Sequence, residues 1–528
     1  MKEESRTRNS LRNISVGFTS QILNLILNFV SRTIFIKVLG VEFLGLNGLF
    51  SNILLILSLA DLGIDSAMIF SLYKPLADKN YPLINALVTF YKKVYQMIAV
   101  AVAVIGLSLV PFLGYLINVE NNIPYLEIYY IIFLLNSVVS YLFVYKTSVI
   151  EADQKNFLIR IYSVAFEFFK IIAQSVLLIL THNYFIYLLL NVIFSLLKNA
   201  TLAYRANKLY PFLSEPAEKL NGSTKKQIYD NVKSMFMYKI GGVLLNNTDN
   251  ILISVMLGTI WVGYYSNYYL IITGLTSFTS ILFTSLSSSV GNLIASSEMV
   301  TNDGQNNGRG EDIYNGLSFV SFWIYGIGAI CLFVLFNDFI TIWLNASFTL
   351  SILTVLAIVL NFYISGILSV TTIYRNTTGL FRDIKYIFLY TATVNLILSV
   401  VLGQVIGLPG ILIATFIARL VVNFWYEPLM LYKIYFQKKS NGYFFKQIKY
   451  FIVLFFSIAV IYGIDSFIAS PSFLNFIIRA TVYFLVLNVL FFALFKNTNE
   501  MKFLLSKINP ILTSANSVLK KSSRTERK

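Results

Sequence analysis

The sequence predicts an all-α polytopic membrane protein of about fourteen transmembrane helices, arranged as two pseudo-symmetric six-helix bundles plus two C-terminal helices. Three observations lead there. Hydrophobic residues make up 57% of the chain and charged residues only 12%, with a mean hydropathy of +0.70. A soluble fold of that composition would have too little polar surface to show water. Runs of about 20 apolar residues recur along the whole length, enough helix to cross a hydrocarbon core of roughly 30 Å. Finally, the pattern Leu39, Gly40, Gly45 between the first two runs returns as Leu257, Gly258, Gly263 at the corresponding place in the second half.

The elements follow in order. A polar, basic N-terminus to about Asn13 leads into span 1, which runs to about Val38. Span 2 extends from about Phe43 to the Asp61 and Asp65 region, and the basic YKPLADKNYP follows it. Span 3 ends near Leu116 and NVENNIP leads to span 4, residues 125–149. Span 5 runs to about Leu180 and turns at Thr181-His182-Asn183 into span 6, expected to end near Lys198. A polar linker with Pro211 and Pro216, residues 203–233, divides an N-terminal bundle (1–202) from a C-terminal one (234–433). Span 7 begins near Met235 and span 8 near Gly263, and SSEMVTNDGQNNGRGED reads as a flexible loop. Spans 9 to 12 are expected at 317–336, 350–373, 386–401 and 411–431. The extra pair within 434–497 lies at 450–468 and 473–495, before a basic tail, 498–528.

The formal net charge of +16 is explained without nucleic acid, because Lys and Arg accumulate in cytoplasmic loops of membrane proteins. The odd-to-even turns (40–42, 118–124, 181–183, 259–262, near Asn345, 403–409 and 470–472) contain no Lys or Arg. This alternation predicts a multi-pass membrane protein with both termini cytoplasmic and no outer domain. The single Cys331 excludes an intrachain disulfide. The only histidine, His182, sits in a turn; with no P-loop, His cluster or Ser–His pair, the sequence implies no cofactor, no metal and no enzyme.

Polar residues inside the spans carry the functional reading. Gln21, Asn24, Asn28, Ser31 and Arg32 share one face of span 1 by their three- and four-residue spacing. Aligning the repeated glycines sets Arg32 opposite Asn250 and Asn28 opposite Asn246, on a span 7 face that also holds Gly242 and Asp249. Span 2 has Asn47, Ser51, Ser58, Asp61 and Asp65; span 5 has Arg160, Glu167, Lys170 and Gln174. A charge at the bilayer centre costs about 2.5–3.5 kcal/mol on insertion scales, so these stripes face one another or water. Single Asn and Ser residues serve equally well as interhelical glue. Arg32 needs water, a carboxylate or a substrate anion, and its planar fork suits phosphate. The candidate substrate ligands are therefore Arg32, Asn28, Asn24, Asn246, Asn250, Lys170 and Arg419. Asp249, Glu167 and Asp61 are the candidates for ion coupling or gating. Glu167 and Lys170, one turn apart, also neutralise each other, and Asp61 and Asp65 also suit a helix cap. A salt bridge across the last outer turn accounts for Asp465 and Arg479.

The run LGVEFLGLNGLFSNILLILSLADLGIDSAMIFSLYKPLA resembles the first hairpin of bacterial polysaccharide-export flippases. DNILISVMLGTIWVGYYSNYYLI is similar to the start of their second half, and LSSSVGNLIAS to the cytoplasmic end of span 8. These proteins belong to the multidrug/oligosaccharidyl-lipid/polysaccharide superfamily. The resemblance implies a V-shaped pair of bundles that flips undecaprenyl-pyrophosphate-linked oligosaccharide repeat units outward by alternating access. It implies diphosphate ligands among cavity cations, the place of Arg32 and of Arg419, and a lipid groove lined by spans 13 and 14. The expected partners are the lipid-linked oligosaccharide, membrane lipid and a coupling proton or sodium ion. The chain is expected to act as a monomer, near a polymerase and glycosyltransferases. Two other classes stay open: a cation-coupled multidrug extruder of the same superfamily, which needs acidic residues in the N-terminal cavity where span 1 offers Arg32, and a membrane enzyme of polysaccharide assembly, which needs a large outer loop.

Overall fold

A computed structural model describes residues 6–58, 64–117, 123–218, 220–298, 305–378, 380, 386–465, 472–502 and 504–506. The described residues fold as helices and connections. In chain order these are α1 (Arg6–Leu39), α2 (Val41–Leu57), α3 (Ile64–Ala77), α4 (Tyr81–Ser108), the single turn α5 (Leu113–Leu116), α6 (Leu126–Tyr141), α7 (Val144–Ala152), α8 (Asn156–Thr181) and α9 (Tyr184–Leu209). There follow α10 (Gly222–Leu257), α11 (Thr259–Glu298), α12 (Gln305–Trp343), α13 (Ile352–Thr377), α14 (Ile387–Ile406), α15 (Leu408–Ala418), α16 (Phe424–Leu431), α17 (Asn441–Asp465) and α18 (Phe473–Phe495). Eleven helical segments are long and apolar enough to cross a membrane, or twelve if α6 and α7, bent by 47°, form one span. The expected spans 2 and 8 fall on α2, a shorter apolar helix of 17 residues, and on the long α11.

Starts and stops follow local chemistry. Asn80, Asn183, Ser351 and Ser472 accept backbone N–H bonds at the starts of α4, α9, α13 and α18, satisfying donors that a helix leaves open. Tertiary contacts extend helices into segments that read as loops. The expected loop after span 8 is helical on both sides of 299–304: Gly310 accepts from the Tyr374 hydroxyl at 3.1 Å, and Glu311 pairs with Lys438 at 2.5 Å. Of the expected linker, 203–233, residues 203–209 belong to α9 and 222–233 to α10. The stretch between them is pinned rather than loose. Tyr210 donates to Asp153 at 2.6 Å, Asn85 donates to the Glu215 carbonyl at 2.7 Å, and Tyr81 stacks on Phe212.

By packing, the chain forms two compact units, Met1–Leu282 with Lys385–Ala418, and Phe283–Ile384 with Arg419–Lys528. In the first, α1 packs on α8, α8 and α6 on α9, α2 on α10, and α14 on α10 and α15. The repeated glycines meet here. Gly40 and Gly258 both take positive φ, 87° and 105°, which side chains disfavour. A Cβ on Gly45 would lie 2.0 Å from the Thr259 carbonyl oxygen, and one on Gly263 2.3 Å from that of Val41. The second glycine of each copy thus touches the residue following the first glycine of the other.

The second unit has an aromatic core. Phe322 stacks between Tyr450 and Phe491, with centroids 4.1 and 5.1 Å away. Arg479 on α18 reaches Asp465 on α17 at 2.5 Å, the expected pair, and also Asp338 on α12 at 2.6 Å. Beyond α15 the backbone widens into π-helix at Arg419–Asn423 and again at Tyr432–Phe436. Between these lies a buried ion pair, Arg375 with Glu427, to which Asn423 donates at 2.8 Å.

Candidate functional site

A polar cavity of about 510 Å³ opens among α1, α2, α6, α8 and α9 in the first unit. Each helix supplies one stripe. Asn28 and Ser31 come from α1, Asn47, Ser51 and Ser58 are spaced along α2 and its end, and Asn136, Ser137 and Ser140 come from α6. From α8 come Glu167, Lys170 and Gln174, and from α9 Tyr187 and Asn191. A side recess of about 160 Å³ shares Asn136, Glu167, Lys170 and Asn191, and adds Ser195 and Lys198. Its volume and mixed lining place the larger cavity in the range of small-molecule sites.

The charged members are held in place. Lys170 bonds Glu167 at 2.8 Å across one turn, with the two side chains 18% and 35% exposed, so neither is bathed in solvent. The buried Gln174 donates to the Tyr187 carbonyl at 2.9 Å and ties α8 to α9. Tyr187, which lines the cavity, also belongs to an aromatic group with Phe35, Phe43, Tyr129 and Tyr184, centroids 5.0 to 6.4 Å apart.

The structure brings Asn28, Glu167 and Lys170 into this cavity, and Asn24, Arg32, Asn250, Asp249 and Arg419 are not among its lining residues. Arg32 does not line it. Its Nη1 donates to Ser266 Oγ at 2.9 Å and Asn267 Oδ1 at 3.4 Å, both on α11. Phe18 meets Phe278, and Leu25 lies over Gly274. Residues 18, 25 and 32 recur at seven-residue intervals, so this face of α1 forms a seam with α11. Asn24 and Asn250 each bury an amide oxygen without a hydrogen-bond partner. The side chain of Asn246 and the whole of Asp61 lie outside the described residues, whereas Asp65 accepts from Ser148 at 3.2 Å. Arg419, in the π-helical turn of the second unit, donates to Ser365.

Asp249 heads a separate buried network. It accepts from Thr415 Oγ1 at 2.9 Å, Thr415 accepts from Asn395 Nδ2 at 2.8 Å, and Asn395 also donates to Ser399 at 3.3 Å. Asn395 and Ser399 are fully buried, and the Asn395 amide oxygen has no hydrogen-bond partner. A carboxylate held by a hydroxyl is an oxygen donor set of the kind that takes a proton or a monovalent cation.

Sequence reasoning missed Asn136, Asn191, Lys198, Asn395 and Thr415. Single amides and hydroxyls look alike whether they glue helices or line a site. Lys198 had a clearer signal, since Tyr187, Asn191, Ser195 and Lys198 recur every three or four residues. The expected end of span 6 at Lys198 hid it; α9 runs on to Leu209, so this lysine is internal to the helix.

No family model and no curated protein matches the sequence. Solved structures do match. The lipid II flippase MurJ, in an inward closed conformation, superposes with a TM-score of 0.66 at 16% identity, covering 91% of this chain and 98% of that one. An inward-facing multidrug resistance MATE family transporter of the MOP superfamily gives 0.60 at 12% identity, over 78% and 97%. The Vibrio cholerae MATE transporter VcmN gives 0.57 at 13% identity, over 82% and 99%. Identities this low speak for the fold alone, and that fold is the one shared by MurJ and the MATE transporters, the fold of the multidrug/oligosaccharidyl-lipid/polysaccharide superfamily.

Proposed function

We propose that the chain is a flippase that moves undecaprenyl-pyrophosphate-linked oligosaccharide repeat units from the cytoplasmic to the outer leaflet of a bacterial cell membrane, by alternating access, for surface polysaccharide synthesis. The observation that carries this reading is the cavity, whose amides, hydroxyls and one Lys–Glu pair suit a sugar headgroup better than a flat apolar cation. Its fold neighbours support the class, since one is a lipid II flippase and covers more of this chain than the two MATE structures do. The basic loops support cytoplasmic termini. We assign coupling to Asp249, where a bound proton or sodium ion in one state only would bias the alternation.

The test is translocation of a fluorescent undecaprenyl-pyrophosphate oligosaccharide in proteoliposomes. Flipping by the wild type that falls at least tenfold in Lys170→Met, with normal reconstitution, is the expected result. A protein that leaves the saccharide in place but extrudes rhodamine would instead be a cation-coupled multidrug extruder. That second reading is favoured by the match to a MATE transporter solved with R6G, at a TM-score of 0.55 and 15% identity over 82% of this chain and 97% of that one.

A further inference from the structure

We infer that the side recess at Lys198 is an anion subsite that selects saccharides carrying a singly charged acidic substituent; this rests on the flippase reading and deepens it. Three titratable side chains line the recess, Lys170, Lys198 and Glu167. Glu167 is already bonded to Lys170 at 2.8 Å. Lys198 lies within electrostatic reach of both, yet it makes no salt bridge among the described residues. Two ammonium groups against one carboxylate leave a single positive charge with no counter-ion.

A cation in that position needs a reason. Lys198 lies fourteen residues after the first residue of α9 and eleven before the last. At 1.5 Å per residue that sets it about 21 Å from the first residue of the helix and about 16 Å from the last. An unpaired charge inside a spanning helix is costly and faces a cavity or a partner. The cavity is there, and its third wall is amide: Asn136 and Asn191 line both the recess and the larger chamber. A ligand can therefore hold neutral hydroxyls against the Asn and Ser stripes while one arm enters the recess. The charge count decides which anion. A single carboxylate brings the recess to neutrality, whereas a pyrophosphate diester with two charges leaves it negative. The recess accordingly matches an acidic sugar, such as a uronate, rather than the pyrophosphate link to the lipid.

Thermal unfolding of the full-length protein in nanodiscs tests this with methyl glucuronide, methyl glucoside and inorganic pyrophosphate as probes. The expected result is stabilisation by the glucuronide at concentrations where the glucoside does little. Lys198→Met should weaken the apparent glucuronide affinity about tenfold, the size of one charge-assisted hydrogen bond, and Lys198→Arg should retain it. Equal stabilisation by the glucuronide and the glucoside, an undiminished preference in Lys198→Met, or a response to pyrophosphate alone would overturn the assignment. Proteoliposome flipping of acidic and neutral lipid-linked saccharides separates this from the parent reading. Selective loss of the acidic substrate in Lys198→Met supports the subsite, and equal loss of both overturns it. If wild type flips neither, the flippase reading falls while the glucuronide result still decides the subsite.

Discussion

At the scale of single residues, the strongest energetic statement concerns Arg375 and Glu427, which bond each other with 2% of either side chain exposed. A buried pair adds little over a well-packed apolar pair, but removing one partner strands the other charge. Arg375→Met is therefore expected to cost about 3–5 kcal/mol, read as a large drop in unfolding temperature, and Arg375→Met with Glu427→Leu should recover most of it. Arg32 predicts something different. Its bonds run to neutral groups, Ser266 and Asn267, so its charge is not needed to close the seam. Arg32→Gln should unfold within about 1 kcal/mol of wild type, while Arg32→Ala loses about 1–3 kcal/mol by leaving polar partners unmet. Equal stability of the two variants would contradict the seam. The oddity of Arg32 was legible in the sequence, because a guanidinium in an apolar run demands a partner. The partner was not, because Ser266 lies 234 residues away and an ordinary serine carries no mark of it.

At the scale of elements, the glycine repeat shows what a pattern discloses and what it conceals. The spacing Leu39, Gly40, Gly45 against Leu257, Gly258, Gly263 marked a turn between two helices, and both turns do adopt positive φ at their first glycine. That the second glycines press the two turns together was not visible, since a glycine needed for close approach and one needed for a turn are spelled alike. The reciprocal geometry gives a prediction. Gly45→Ala places a methyl carbon 2.0 Å from the Thr259 carbonyl oxygen, backbone that has no rotamer to yield. It is expected to destabilise by about 1–3 kcal/mol or more, and Gly263→Ala by a similar amount against Val41. Because both substitutions open the same contact, the double variant should lose less than the two single losses added together. Additive losses in a thermal-unfolding cycle would show two independent sites. Helix ends were the least legible feature. Stopping span 6 at Lys198 followed the fall in hydropathy, but backbone hydrogen bonding continues α9 through polar residues to Leu209; that single boundary hid a charged wall of the cavity.

At the scale of the whole molecule, a transporter turns an ion gradient into directed movement only if the ion binds its conformational states unequally. Asp249 is the residue we propose for that task, and its network joins three helices: α10 through its own carboxylate, α15 through Thr415, and α14 through Asn395 and Ser399. An ion held by the carboxylate and the Thr415 hydroxyl would tie α10 to α15, so it stabilises states in which they are packed as here. A ligand present at a hundred times its Kd adds about 2.7 kcal/mol to the state that binds it. If sodium is the ion, replacing potassium by sodium at fixed ionic strength should raise the unfolding temperature of wild type. Asp249→Asn should abolish the rise. If the proton is the ion, the sodium effect is absent, and transport responds to a pH gradient in wild type but not in Asp249→Asn. Transport that runs equally in the absence of both gradients, with Asp249→Asn fully active, removes coupling from this site. It would leave the network as interhelical glue, for which Asn, Ser and Thr suffice and a carboxylate is an unnecessary expense of desolvation.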